Sequence, residues 1–128
     1  MIFLLDTHLL LWAAGAPERL SASARRLLED PRQTLAFSAA SILEIVIKRS
    51  LKRPDFRIDP RVLRRGLLDG GYREIPIFSE HALAVERLPP LHKDPFDRLL
   101  IAQAEIEGAT LLTSDEQVAQ YPGAIRKV

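Results

Sequence analysis

Ile2-Phe3-Leu4-Leu5-Asp6 is a short apolar run that stops at a carboxylate. Four apolar residues without polar alternation suit a strand buried on both faces, as in a parallel sheet. Ligand sites in such sheets lie beyond the carboxyl ends of the strands, which is where Asp6 falls. Working outward, residues 7–14 continue as a helix, and Pro17 ends that segment. Ser21 caps a second helix to about Asp30, with Pro31 behind it. Thr34–Phe37 reads as a short strand, followed by a helix over Ala39–Ser50 whose Ile42, Leu43, Ile45, Val46 and Ile47 indicate substantial burial. Lys52–Pro60 is an irregular link with two prolines, and a helix over Pro60–Leu68 stops at Gly70-Gly71. Glu74–Ile77 is a third strand, and Ser79–Leu88 a helix capped by Ser79 and broken by Pro89-Pro90. Asp94-Pro95 opens the clearest helix, with Asp as N-cap and Pro at the first helical position; it runs to Glu107 and ends at Gly108. Ala109–Thr113 is a fourth strand, Ser114 starts a short helix to about Gln120, and Ala124–Lys127 supplies a last edge strand. Strands alternating with helices predict a three-layer α/β fold, a central mostly parallel sheet of four to five strands flanked by helices. No repeat, low-complexity tract or linker divides the chain, so residues 1–128 are expected to form one domain.

At 128 residues the chain is long enough for a hydrophobic core without staples. It has no cysteine, which excludes a disulfide framework, a thiolate zinc site and a cysteine nucleophile, and suits a reducing cytoplasm. The apolar N-terminus looks like the start of a signal peptide. No Lys or Arg precedes it, however, and Asp6 and His8 interrupt it, so a cytoplasmic protein without a membrane span is expected. A net charge of +1 is silent about nucleic acid. Its distribution says more, because residues 45–73 hold nine Lys or Arg against three Asp. Such a stretch could meet phosphates, although taken alone a solvated helical face and connecting loop is the plainer explanation.

Four acids from distant parts of the chain fall at one kind of place. Asp6 ends the first strand, Asp115 lies just past the fourth, Glu44 sits near the start of the helix after the second, and Asp97 lies in the first turn of the Asp94-Pro95 helix. Carboxylates brought within a few ångströms repel one another, and a bound dication relieves that repulsion. Mg²⁺ takes such oxygen ligands, and an ion so held could polarise a phosphodiester and activate water, with no His, Ser or Cys nucleophile.

Each acid also has a plainer explanation. Glu44 follows Ser41 by three, as in a capping box, although a carboxylate between Leu43 and Ile45 needs some partner. Asp97 and Asp115 can be first-turn helix acids, and Asp94 is best read as an N-cap. Thr7, Thr113 and Ser114 stand near the acids and can orient them by hydrogen bonds, with Asp94 beside them; capping by Ser114, with Gln117 completing a box, competes. His8 and His92 lack metal-ligand spacing partners, so surface or packing roles are expected, and His81 carries no signal. Trp12 reads as core or a dimer contact.

With these residues placed, the sequence resembles the PIN-domain proteins of the VapC toxin type. The matching pieces are Leu4-Leu5-Asp6-Thr7-His8, Ser41-Ile42-Leu43-Glu44-Ile45, the long run from His92 through Asp94-Pro95-Phe96-Asp97-Arg98 to Ala104, and Leu111-Leu112-Thr113-Ser114-Asp115. The resemblance implies a PIN fold, Mg²⁺ or Mn²⁺, and endonucleolytic cleavage of RNA by metal-activated water. It also implies dimerisation and inhibition by a co-encoded VapB-type antitoxin. Asp6, Glu44, Asp97 and Asp115 take the family's acidic positions, whereas the segment around residues 51–73 matches no motif. Two other readings compete. A phosphatase of the haloacid dehalogenase type would want a second Asp where His8 stands. A catalytically silent PIN-like binding or regulatory module would bind metal without turnover, and the intact acids count against it.

Overall fold

A computed structural model describes residues 1–128. Five strands, β1 (Ile2–Leu5), β2 (Thr34–Ser38), β3 (Arg73–Ile75), β4 (Thr110–Thr113) and β5 (Ile125–Lys127), form one sheet in the order β3-β2-β1-β4-β5. Every pairing is parallel. Seven helices connect them: α1 (Thr7–Gly15), α2 (Ala22–Glu29), α3 (Ala39–Ser50), α4 (Pro60–Asp69), α5 (Ser79–Ala84), α6 (Pro95–Glu107) and α7 (Glu116–Ala119).

The apolar run of β1 works as a two-sided strand because successive side chains leave opposite faces. Leu4 joins Ala36, Leu111, Leu100 and Ile101 in one core cluster. Phe3 and Leu5 join Leu9, Leu10, Phe37, Ile45, Leu63, Leu67 and Leu112 in the other. The first cluster lies under α5 and α6, the second under α1, α3 and α4. Parallel crossovers are almost always right-handed, so when the strand order turns back from β3 to β4 the connecting helices must change face. The order reverses between β1 and β4. Asp6 and Asp115 therefore stand at the point where an open parallel sheet leaves a crevice.

The element boundaries shift at three places. β3 ends at Ile75 rather than Ile77, because Pro76 has no N–H for the ladder. Instead Gln103 Nε2 of α6 donates to the carbonyls of Ile75 and Pro76, at 3.2 and 3.1 Å. α5 is not capped by Ser79. The Phe78 amide donates to His81 Nδ1 at 2.9 Å, so a buried ring one turn into the helix does that work, and a 3-10 turn over Val85–Arg87 follows. The last helix is shorter than expected and its cap is Asp115, not Ser114. α6 behaves as its sequence dictates, from the Asp94 cap and Pro95 to Gly108, whose φ of 67° closes the helix in the left-handed region. No helix is long and apolar enough to cross a membrane.

Leu100 is fully buried on α6 between sheet and helices, whereas Leu83 is largely exposed. Leu100→Ala is expected to lower unfolding stability by about 2–5 kcal/mol, and Leu83→Ala by no more than about 0.5 kcal/mol, measured by chemical denaturation.

Candidate active site

Asp6 is held from three directions. Its backbone N–H donates to the Leu112 carbonyl at 3.0 Å, which fixes the end of β1 against β4. Its Oδ1 accepts from the Leu9 N–H at 2.9 Å, capping α1, and its Oδ2 accepts from the Thr113 hydroxyl at 2.6 Å. Burial pushes the carboxyl pKa up, while the Thr113 hydroxyl, the Leu9 amide, the nearby His8 and the Ser114 amide favour the charged form. Ser114 thus contributes backbone rather than hydroxyl. Thr113 Oγ1 in turn accepts from the Asp115 N–H at 3.0 Å.

Glu44 is buried on α3, and the capping-box reading fails there because Ser38 caps the helix, accepting from the Ala40 N–H at 3.0 Å. The Thr7 hydroxyl lies 2.6 Å from Glu44 Oε1 and 3.0 Å from Ser41 Oγ. With one proton to give, it donates to the carboxylate and accepts from Ser41. Glu44 Oε2 accepts from the Lys48 ammonium one turn later, and that ammonium also lies 3.9 Å from Asp94 Oδ2.

Asp94 Oδ1 caps α6, accepting from the amides of Phe96 and Asp97 at 2.8 and 3.3 Å. Asp97, one turn in, meets His92 Nε2 through Oδ2 at 2.8 Å. Its carboxyl is pushed up to about 7, first by burial and then by the negative charges of Asp94, Glu44 and Asp6, against the His92 hydrogen bond. The structure thus brings Asp6, Glu44, Asp94 and Asp97 within electrostatic reach of one another. Asp115 is half-buried at the start of α7; its Oδ1 caps that helix at 2.8 Å from the Gln117 N–H, and its N–H is linked to Asp6 through the Thr113 hydroxyl. An all-oxygen set whose charges raise one member's pKa is the donor chemistry that a hard divalent cation fits.

Lys48 was not singled out in the sequence, Arg98 stood only within the quoted motif, and His92, expected in a surface or packing role, instead bonds to Asp97. Lys48 had a local signal, being four residues after Glu44 on the same helix face. His92 reaches Asp97 through the turn before α6, which no spacing rule anticipates. Arg98 holds that turn. Its guanidinium donates to the carbonyls of Val85, Leu88, Pro89 and His92 and to the Tyr121 hydroxyl, at 3.0–3.4 Å. His8 packs against Trp12 and Phe56, as expected of a packing role. The basic stretch is partly paired, Arg64 with Glu74 at 2.7 Å and Arg49 and Arg61 with Asp59 at 3.8 and 3.9 Å. Arg49, Lys52, Arg61 and Arg64 line a cleft of about 560 Å³ with Ile42 and Val46. At 100° per residue these α3 positions lie on the opposite side from Glu44 and Lys48.

The sequence profile of the PIN domain matches residues 3–124. The chain belongs to the PIN-domain family. Similar solved structures agree on the fold. VapBC2 from Rickettsia felis, bound to a DNA fragment from its promoter, aligns with a TM-score of 0.73 at 18% identity, over 99% of this chain and 98% of that one. DNA-bound VapBC from Salmonella typhimurium gives 0.69 at 14% identity over 99% and 98%. VapBC-1 from nontypeable Haemophilus influenzae gives 0.64 at 19% identity over 94% and 91%. No curated protein matches the sequence. On this PIN fold, the sequence motifs that end β1 and β4 and open α6 are the elements that meet at the acids.

Asp97 generates a pH prediction. Between its ordinary value of 3.8 and about 7, the folded carboxyl keeps a proton that the unfolded one has released. Its contribution therefore favours folding below pH 4 and is lost as the pH rises to about 7. In EDTA, Asp97→Asn should raise the melting temperature relative to wild type by on the order of 5 °C at pH 8, with the gain shrinking toward pH 5. Thermal unfolding of both proteins across that range checks it.

Proposed function

We propose that this PIN-domain protein is a metal-dependent endoribonuclease of the VapC toxin type, restrained by a VapB-type antitoxin. The observation that carries the reading is the convergence of Asp6, Glu44, Asp94 and Asp97 from β1, α3 and α6, where burial first and then the charges of Asp94, Glu44 and Asp6 raise the Asp97 carboxyl. Carboxylates gathered this closely repel one another even when each has a hydrogen-bond donor, and a bound divalent cation relieves that repulsion. Asp6, Glu44, Asp97 and Asp115 would hold Mg²⁺ or Mn²⁺, since their oxygens come from the ends of β1 and β4 and from α3 and α6. When bound, the ion supplies Lewis-acid polarisation of a phosphodiester and makes water a better nucleophile.

The protein's own contribution is orientation and charge. Thr113 and Thr7 turn the Asp6 and Glu44 carboxylates by short hydrogen bonds from neighbouring elements. His92 holds one oxygen of Asp97, and Asp94 fixes the first turn that carries it. Asp97 retains a proton near neutral pH and gives it up when a cation arrives, so ion binding at pH 6 should release a proton.

The solved structures similar in fold are VapBC assemblies, which supports an antitoxin partner here. Leu43, Val46 and Ile47, expected from the sequence to be buried, instead lie exposed along α3 with Leu51 at its C-cap, the kind of apolar surface that an antitoxin or a second copy in a homodimer covers. RNA as the substrate follows from the family resemblance.

The test is cleavage of RNA by antitoxin-free protein with Mg²⁺, Mn²⁺ or EDTA. Asp6→Asn and EDTA should each reduce cleavage to background; cleavage that persists in EDTA, or at full rate in Asp6→Asn, overturns the mechanism. Thr113→Val, which removes the hydroxyl that orients Asp6 and accepts the Asp115 N–H, should lower the rate by about 10- to 100-fold.

A further inference from the structure

Nothing in the cleavage chemistry calls for Lys48, yet its ammonium points into the acid cluster. Lysines usually run their stems along the surface and keep the charge in water. Lys48 is only 19% exposed, bonded to Glu44 Oε2, 3.9 Å from Asp94 Oδ2 and 5.1 Å above the Phe56 ring centroid. The three groups belong to α3, the cap of α6 and the irregular link between α3 and α4, so the ammonium sits where they meet.

The oxygens around it are already committed. Glu44 Oε1 takes the Thr7 hydroxyl and Oε2 takes Lys48. Asp94 Oδ1 takes two helix amides, and Oδ2 faces Lys48. Carboxylate oxygens carry spare lone pairs, so Glu44 can still reach one ion. The fixed positive charge removes the surplus negative charge that would hold another. Two-ion sites place their ions about 3.5–4 Å apart, and a second dication near Glu44 and Asp94 would lie against the ammonium.

We infer that Lys48 occupies the place of a second cation and limits the acid site to one divalent ion. The inference rests on the metal-dependent reading above and concerns ion number rather than ion binding as such.

The experiment counts ions without RNA. Metal-free, full-length protein is titrated with Mn²⁺, and bound ion is measured by electron paramagnetic resonance and calorimetry. Wild type should take up one Mn²⁺ per chain. Lys48→Met, which keeps the apolar stem and removes the charge, should take up two, and the pair should show spin coupling. Adding Asp94→Asn to Lys48→Met should return the count to one, since Asn still caps a helix. Lys48→Gln serves in the same way if the Met variant does not fold, as checked by thermal unfolding. Two ions in wild type, or one ion in the neutral variants, overturns the role of Lys48 and leaves the metal-dependent reading standing. No ion in wild type overturns that reading, and this inference with it.

Discussion

The hydrogen bonds of Asp6 tie together elements that must agree before a site can exist. One carboxylate oxygen starts α1, the other is gripped by Thr113 of β4, and the backbone amide of the same residue pairs with Leu112. β1 and β4 are distant in sequence, and their adjacency is what the turn-back in strand order produces. The crevice, the depth of Asp6 within it and the direction of its carboxylate all follow from that pairing. A site built on strand ends is also more rigid than one built on loops, which suits chemistry that depends on carboxylate placement.

Gathering acids costs energy, and the molecule offsets that cost differently at each one. Asp6 receives hydroxyl and amide hydrogen bonds, Glu44 receives a hydroxyl and an ammonium, and Asp94 receives two helix amides. Asp97 is left with His92 and with the repulsion of its neighbours, and its carboxyl answers by holding a proton to about pH 7.

The fold was largely legible because its signals are local. An unbroken apolar run at β1, Asp94-Pro95 and Gly108 around α6, and the prolines between helices each act within a few residues. Asp6 and Asp97 could be placed because strand ends and first helical turns are read from the same local patterns. The Ser41–Glu44 spacing offered a capping box as a competing explanation for Glu44, and the Ser38 cap removes it, in keeping with a helix that starts at Ala39. His92 and Arg98 were not legible, since their partners are set by how a turn folds back and not by periodicity, whereas the pairing of Lys48 with Glu44 one helical turn earlier was there to be read. His81 was missed for a related reason: its ring is fully buried between the Phe78 amide and Glu107, a pairing made across elements 26 residues apart.

Arg98 reads the turn before α6 almost entirely through main-chain oxygens, from Val85, Leu88, Pro89 and His92. Every amino acid presents the same carbonyl, so beyond the Pro89-Pro90 break and the buried Leu88 the shape of this segment is held by one guanidinium and asks little of its exposed side chains. Exposed positions along it, such as Leu91 and Lys93, can be exchanged while the scaffold that delivers His92 to Asp97 stays in place. The outer rim of the site is therefore free to take up new recognition surfaces without disturbing the charges beneath it.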